Sequence, residues 1–430
     1  MGVSRLVIVA ITFIGLVLLG VPIFVSLGLT SLVGIALTQD VPFAAIAAKT
    51  ASASDNFILL AIPLFMLAGS LMSAGGIARR LFDLARVLVG HTTGGLAQVN
   101  VAMSVLNGGI SGSSAADAAL DCKVIVPQMR ADGYPAAFSA AITAASGMLA
   151  NIIPPSIAML IYASLANVSV GRLFMAGIVP GIMLALAMSF TAHRTCKRMN
   201  YGRRVPRASW SEIRAALRNS ALALSIPVIV VGGIRFGAFT PTEAGAVAVA
   251  ITLILGLFVF RELRPSDLPG ILTRTAVDTG VIMLIISFSA PISLVLAYNH
   301  IPQQVAAFFA AFSSSEIVFL LTVNVFLLVG GALMEGVTLL ILTTPLLAAV
   351  ASSLGIDPIH FGMVVIVNVV LGAITPPFGQ IVFMVSSLTG ARPEEIFKQV
   401  LHFLPLLIVV LAVVTFVPQS FLWTVELFGP

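Results

Sequence analysis

Charge is scarce in this chain: 9% of its 430 residues are Asp, Glu, Lys or Arg, against 59% that are hydrophobic. A soluble domain of this length cannot hide so much apolar surface, so lipid is its solvent. Cysteine is nearly missing, and Cys122 and Cys196 are too few for a disulfide framework. Histidine is sparse as well. His91, His193, His300, His360 and His402 all fall near the ends of apolar runs, which reads as interfacial rather than ligating. Alternating ten-residue strands are absent, which argues against an outer-membrane barrel. No small-residue cleavage site follows the first apolar run, so that run reads as a retained helix, not a signal peptide.

What is present is a series of long apolar runs: Arg5–Leu37, Phe57–Ala74, Leu173–Ala192, Thr242–Phe260, Gly280–Ala297 and Val400–Phe421. Each can cross ~30 Å of hydrocarbon as a helix. A net charge of +5 suggests nucleic acid, but the positions of the charges do not. With the N-terminus inside and the C-terminus outside, residues 78–91, 121–133, 191–219, 261–278 and 390–399 lie inside. Residues 40–56, 169–172, 235–241, 298–315 and 352–358 then lie outside. Nineteen of the 22 Lys and Arg fall inside, and only Lys49, Arg172 and Arg235 do not. This is the positive-inside pattern. The basic run HRTCKRMNYGRRVPR (His193–Arg207) is then a topology anchor, with anionic-lipid binding as the alternative.

The second half echoes the first at an offset near 222 residues. SLANVSVGRLF (Ser164–Phe174) matches SLTGARPEEIF (Ser387–Phe397), and NIIPPS (Asn151–Ser156) matches AITPPF (Ala373–Phe378). GYPAAF (Gly133–Phe138) resembles GIDPIHF (Gly355–Phe361), and NGGI (Asn107–Ile110) parallels VGGA (Val329–Ala332). One extra span separates the halves, which turns the second over. The expected organisation is a first inverted repeat over 1–219, a linking span over 220–235 and a second repeat over 236–430. Such repeats are characteristic of secondary transporters.

The polar stretch NGGISGSSAADAAL (Asn107–Leu120) interrupts an apolar region that begins and ends on one side. It fits the tip of a re-entrant hairpin over about 92–126, with a counterpart over about 316–350 tipped by VGGALMEG. Non-helical backbone at that depth must be buried in protein or line a wet cavity. Each half also has a span broken by Pro-Pro: 134–167 at Pro154-Pro155 and 359–389 at Pro376-Pro377. Proline removes a donor and frees carbonyls. With the hydroxyls of Ser111, Ser113, Ser114 and Thr375, those carbonyls suit a hard cation such as Na⁺. The half-helix N-termini beyond each break suit an anion. A kink or close packing by small residues is the plainer reading of each break. Asp117 and Glu335 at the tips could hold a proton, orient the tip or pair with a cation. Glu243 reads as a helix-start residue.

GGISGSSAADAA, NIIPPSIAMLIYA, FTPTEAGAVA (Phe239–Ala248) and AITPPFGQIVF together resemble the large membrane subunit, the DctM type, of tripartite ATP-independent periplasmic (TRAP) transporters. The resemblance covers nearly the whole chain. It implies an all-α polytopic membrane protein with the inverted-repeat fold of the ion-transporter superfamily. That fold has two re-entrant hairpins and two Pro-Pro-broken helices, and it works as an elevator. The resemblance implies Na⁺-driven uptake of a carboxylate or sulfonate across the bacterial inner membrane, with no organic cofactor. Two partners follow, a periplasmic solute-binding protein and a small four-helix membrane subunit, expected as a separate polypeptide. By the same resemblance one Na⁺ would bind Ser111, Ser114, Gly147, Ala150 and Pro154. A second would bind Gly331, Gly372, Thr375 and Phe378. Substrate would lie near Asn107, Ser113, Asn151, Asn368 and Gln380. The scaffold of the elevator would include the spans from Arg5 and Ser220, braced by the amphipathic segment GIARRLFDLARVLVG (Gly76–Gly90). Two rival readings remain. One is a stand-alone Na⁺/dicarboxylate symporter of the same superfamily. The other is an intramembrane serine protease, because GISG (Gly109–Gly112) matches the G-x-S-G of rhomboids.

Overall fold

A computed structural model describes residues 2–38, 42, 44–203, 205–301, 303–305, 307 and 316–428. Asp40, Arg204 and the end of the 298–315 segment, all placed by the topology above, lie outside the described residues. Among the described residues every regular element is helical. Seven helices among the described residues are long and apolar enough to cross a membrane. They become eight if Pro393–Val400 and Leu404–Phe416, which meet at a 54° bend, form one span.

The first hairpin is a helix–turn–helix. Gly95–Ser111 ends at Gly112, which adopts the left-handed conformation (φ 60°), and Ser114–Val124 begins behind the N-cap Ser113. Glycine is the residue for that corner, since a β-carbon opposes a positive φ. The second pair is Glu316–Leu333 and Gly336–Ser353, the latter capped by the Glu335 carboxylate. Each arm of the second pair, at 18 residues, also passes on length and apolarity as a crossing helix.

Each Pro-Pro pair interrupts a helix. In the first half Ala136–Gly147 runs into a 3₁₀ turn over Met148–Asn151, and helix resumes at Ile157–Ala166 behind the N-cap Ser156. In the second, Pro358–Gly372 stops and Gln380–Thr389 starts after Gly379. Both Pro-Pro bonds are cis. Each hairpin lies on the long limb of its own broken helix, and the halves interlock. Ile157–Ala166 packs on Gly336–Ser353, and Gln380–Thr389 packs on Ser114–Val124. Around this block, Trp210–Arg235, Pro241–Ile254 and Leu268–Tyr298 pair with Ile77–Val89, Ala61–Ala74 and Ile23–Leu37 respectively.

Several boundaries differ from the sequence reading. The run Arg5–Leu37 is two helices, Gly2–Leu18 and Ile23–Leu37, folded back so that Gly34 meets Val9. The break falls at Gly20, Val21 and Pro22, with Gly20 at φ 77°. The run is therefore not one continuous helix. The segment 191–219 is not a loop for most of its length: Val170–Met199 and Trp210–Arg235 extend into it. The last apolar run also breaks, at Val417 and Pro418, before a final helix Gln419–Phe428. Ile77–Val89 is helical as expected and buries Ile77, Leu81 and Leu84, but Leu88 of the expected apolar face is 43% exposed. His360 is buried within the protein rather than facing lipid or water. It is 3% exposed, and its Nε2–H donates to the carbonyls of Val414 and Thr415.

Two outcomes follow from these helices. A β-carbon on Gly112 would lie 2.9 Å from the Pro155 carbonyl oxygen, on top of its left-handed φ. Gly112→Ala therefore lowers unfolding stability by about 1–2 kcal/mol, read as a lower thermal midpoint of the purified protein. Gly133→Ala has a positive φ but open space around it and loses less. The second outcome concerns sidedness. In a background lacking Cys122 and Cys196, a cysteine replacing exposed Lys123 and one replacing exposed Ser352 label from opposite faces with an impermeant maleimide. Labelling of both from one face contradicts oppositely entering hairpins.

Candidate functional site

At the first tip, backbone meets backbone. A β-carbon on Gly108 would lie 2.9 Å from Ala150 Cα, and one on Gly109 would lie 3.5 Å from the Pro154 carbonyl oxygen. The Ile157 N–H donates to the Gly112 carbonyl (3.2 Å), so the break and the tip share a hydrogen bond. The Ser114 N–H donates to Asn151 Oδ1 (3.2 Å), and its hydroxyl donates to the Met148 carbonyl (3.4 Å). The Ser111 hydroxyl is buried and has no hydrogen-bond partner. Ser111, Ser114, Ala150 and Pro154 are thus brought together. Gly147, at the end of Ala136–Gly147, sits further from the tip, against Ala118 of the hairpin's second arm.

The second tip repeats the arrangement with less hydroxyl. A β-carbon on Gly331 would lie 3.0 Å from Gly372 Cα. The Phe378 N–H donates to the Ala332 carbonyl (3.3 Å), the counterpart of the Ile157–Gly112 bond. The Thr375 hydroxyl donates to the Leu371 carbonyl (2.8 Å). The Phe378 ring points away and is 58% exposed, so only its backbone belongs to the tip. Oxygen donors fit a hard cation at both tips. At the first, a buried orphan hydroxyl is available. At the second, Thr375 still has oxygen lone pairs after giving up its proton, and the rest must come from carbonyls.

A cavity of about 390 Å³ lies between the tips. Ser113, Ser114 and Asn151 line one side, and Glu335, Thr338 and Gln380 the other, with Phe24, Met66, Ile282 and Ile381 among the apolar walls. Ser113, Asn151 and Gln380 are therefore where a substrate could touch them. Asn107 and Asn368 are not. Both are 0% exposed and off the cavity, so their expected place on its wall is corrected. Asn368 is held in the helix stack, where its amide donates to Asn324 Oδ1 (2.6 Å) and to the Val364 carbonyl (2.8 Å).

The first residues of five helices line this cavity: Ile23, and, at the tips and breaks, Ser114, Ile157, Gly336 and Gln380. Helix N-termini carry partial positive charge. No Lys or Arg is among the lining residues. Glu335 is engaged at its own helix start, accepting from the N–H groups of Val337 (2.9 Å) and Thr338 (2.7 Å) and from the Thr338 hydroxyl. Glu243 likewise closes a capping box with Thr240, which is the plain role expected for it.

Sequence reasoning missed a pair of buried clasps. Asn100 donates to the Thr143 hydroxyl (2.7 Å) and accepts from Ser146 (2.6 Å), fastening the first hairpin to its broken helix. Asn324 donates to Thr415 (3.0 Å) and accepts from Asn368, doing the same in the second half. Asn100 and Asn324 are 224 positions apart, and Ser146 and Asn368 are 222 apart. Lone polar residues inside apolar runs, recurring at the repeat offset, were the available signal.

Residues 10–420 match the family model of the tripartite ATP-independent periplasmic transporter, DctM component. The chain is 38% identical over 416 residues to the sialic acid TRAP transporter large permease protein SiaM of Vibrio cholerae, covering 97% of each. It is 40% identical over 393 residues to the C4-dicarboxylate TRAP transporter large permease protein DctM of Pseudomonas aeruginosa, covering 91% of this chain and 92% of that one. The isethionate TRAP transporter permease protein DctMQ of Oleidesulfovibrio alaskensis is 35% identical, and there the match covers 93% of this chain but 63% of the relative. Among solved structures, the YdaH transporter of Alcanivorax borkumensis superposes with a TM-score of 0.64 at 15% identity, covering 90% of this chain and 89% of that one. That likeness is one of fold. A multi-span helical membrane protein whose sequence matches the DctM model from residue 10 to residue 420 belongs to the large permease subunits of TRAP transporters.

Proposed function

We propose that this subunit carries a small organic anion, a carboxylate or sulfonate, inward across the bacterial inner membrane, driven by Na⁺. The reading rests on one observation: the N-termini of helices at both tips and both breaks converge on a cavity that, among the described residues, no Lys or Arg lines. The N-terminus of Gly336–Ser353 is already taken by the Glu335 carboxylate; each of the other termini favours an anion by about 0.3–1 kcal/mol, without the fixed cation that would have to be neutralised when the site empties. Cations bound at the flanking tips supply the remaining positive charge. Ser111, Ser114, Ala150 and Pro154 would hold one Na⁺, with Gly147 behind them. Gly331, Gly372, Thr375 and the Phe378 backbone would hold the other. Ser113, Asn151 and Gln380 would orient the anion. The relatives' names point to sialic acid, C4-dicarboxylates and isethionate as substrates of those proteins, which supports the carboxylate or sulfonate class here.

A periplasmic binding protein delivers the anion in this proposal, and a small four-helix membrane subunit completes the complex. The hairpins and broken helices move together as an elevator against the outer helices. The protease reading lacks support, because among the described residues the Ser111 hydroxyl has no hydrogen-bond partner to take its proton. The stand-alone symporter differs by needing no binding protein.

The ion assignment is tested without knowing the substrate. Na⁺ binding to the folded protein raises its thermal midpoint by mass action. Ser114→Ala and Thr375→Ala each remove one oxygen ligand, so the half-saturating Na⁺ concentration of that shift rises about tenfold, equivalent to ~1.4 kcal/mol. An unchanged Na⁺ titration in both variants contradicts the assignment.

A further inference from the structure

The interior of the first hairpin holds two carboxylates that the tip chemistry does not use. Asp117 and Asp121 stand one turn apart on Ser114–Val124, so their side chains share a face. Ser104 and Asn107 share the facing side of Gly95–Ser111. All four are at most 1% exposed. One hydrogen bond joins them, from the Ser104 hydroxyl to Asp121 Oδ2 (3.0 Å). Both oxygens of Asp117, Oδ1 of Asp121, and both polar atoms of Asn107 are buried without partners. Asn107 and Ser104 are neighbours of the Asp117 carboxyl, so the orphan amide faces the acidic pair. The ion pairs among the described residues, Arg80–Glu262 and Arg203–Asp132, do not involve it. Lys123 is exposed beyond the end of the pair.

Two carboxylates cannot stay ionised in a dry interior without positive charge, because each unpaired one costs several kcal/mol. We infer that Asp117, Asp121, Asn107 and Ser104 form a third Na⁺ site inside the hairpin, distinct from the two tip sites. It offers only hard oxygen donors: carboxylates, one amide carbonyl and one hydroxyl. The inference builds on the Na⁺-driven reading, which supplies the ion. It is also lopsided. At the repeat offset of 222 the second half has Phe326, Val329, Leu339 and Thr343, so no counterpart exists there. An odd cation adds to the two paired ones, and it sits behind the tip, where occupancy ties the two arms together.

Equilibrium binding of ²²Na⁺ to the purified full-length chain decides this. At saturation the parent binds three ions per chain, the two tip ions and this one. Asp117→Asn with Asp121→Asn binds two, while remaining monodisperse. If that variant does not fold, the parent count still decides. Two ions on the parent overturns this site and leaves Na⁺ coupling standing, whereas no bound Na⁺ overturns both. A parent and a folded variant that bind equally also overturn the site, and point to protons on the carboxylates instead.

Discussion

The contact between each hairpin tip and the Pro-Pro break beside it is the constraint on which the rest depends. At Gly108, Gly112 and Gly331 the backbone of one element lies where a side chain would otherwise be. Only this closeness lets the Ile157 and Phe378 N–H groups reach the tip carbonyls. Those two bonds pair backbone groups at helix ends and breaks, where intrahelical partners run out. In lipid an unpaired polar group has no water to turn to, so irregular backbone survives only when such partners exist.

From that contact the architecture follows. Helix association in a membrane gains little from hydrophobic burial and leans on small residues and interhelical hydrogen bonds. The chain supplies both, through glycine at the tips and the Asn100 and Asn324 clasps on the long limbs. Because each break's second limb packs on the other half's hairpin, the two tips are held facing one cavity. The helices that restart after each tip and each break then present their N-termini to it. A cavity lined by helix N-termini is a direct consequence of breaking helices in one place.

Much of this was legible in the sequence, because glycine and tandem proline act locally. The tips at Gly112 and near Glu335, the breaks at Pro154 and Pro376 and the cap at Glu243 all lie where the residues placed them. What failed depended on tertiary context, apart from one local break hidden by its apolar surroundings. Arg5–Leu37 reads as one span on apolarity, yet Gly20 and Pro22 turn it into two helices. Asn107 and Asn368 sit beside the motifs but on the wrong helical faces, one turned into the hairpin and the other into the Asn324 clasp. His360 opens a helix, a position that reads as interfacial, but the C-terminal helices cover it and supply two carbonyls. Burial of that kind is decided by partners far along the chain.

The central claim, Na⁺-driven uptake by a tripartite system, is most directly tested in proteoliposomes. They should hold this chain with its small membrane subunit, facing labelled candidate carboxylates and sulfonates supplied with the cognate binding protein. The account predicts accumulation above the external concentration only when an inward Na⁺ gradient and the binding protein are both present. Equal accumulation with K⁺ in place of Na⁺, or without the binding protein, would contradict it.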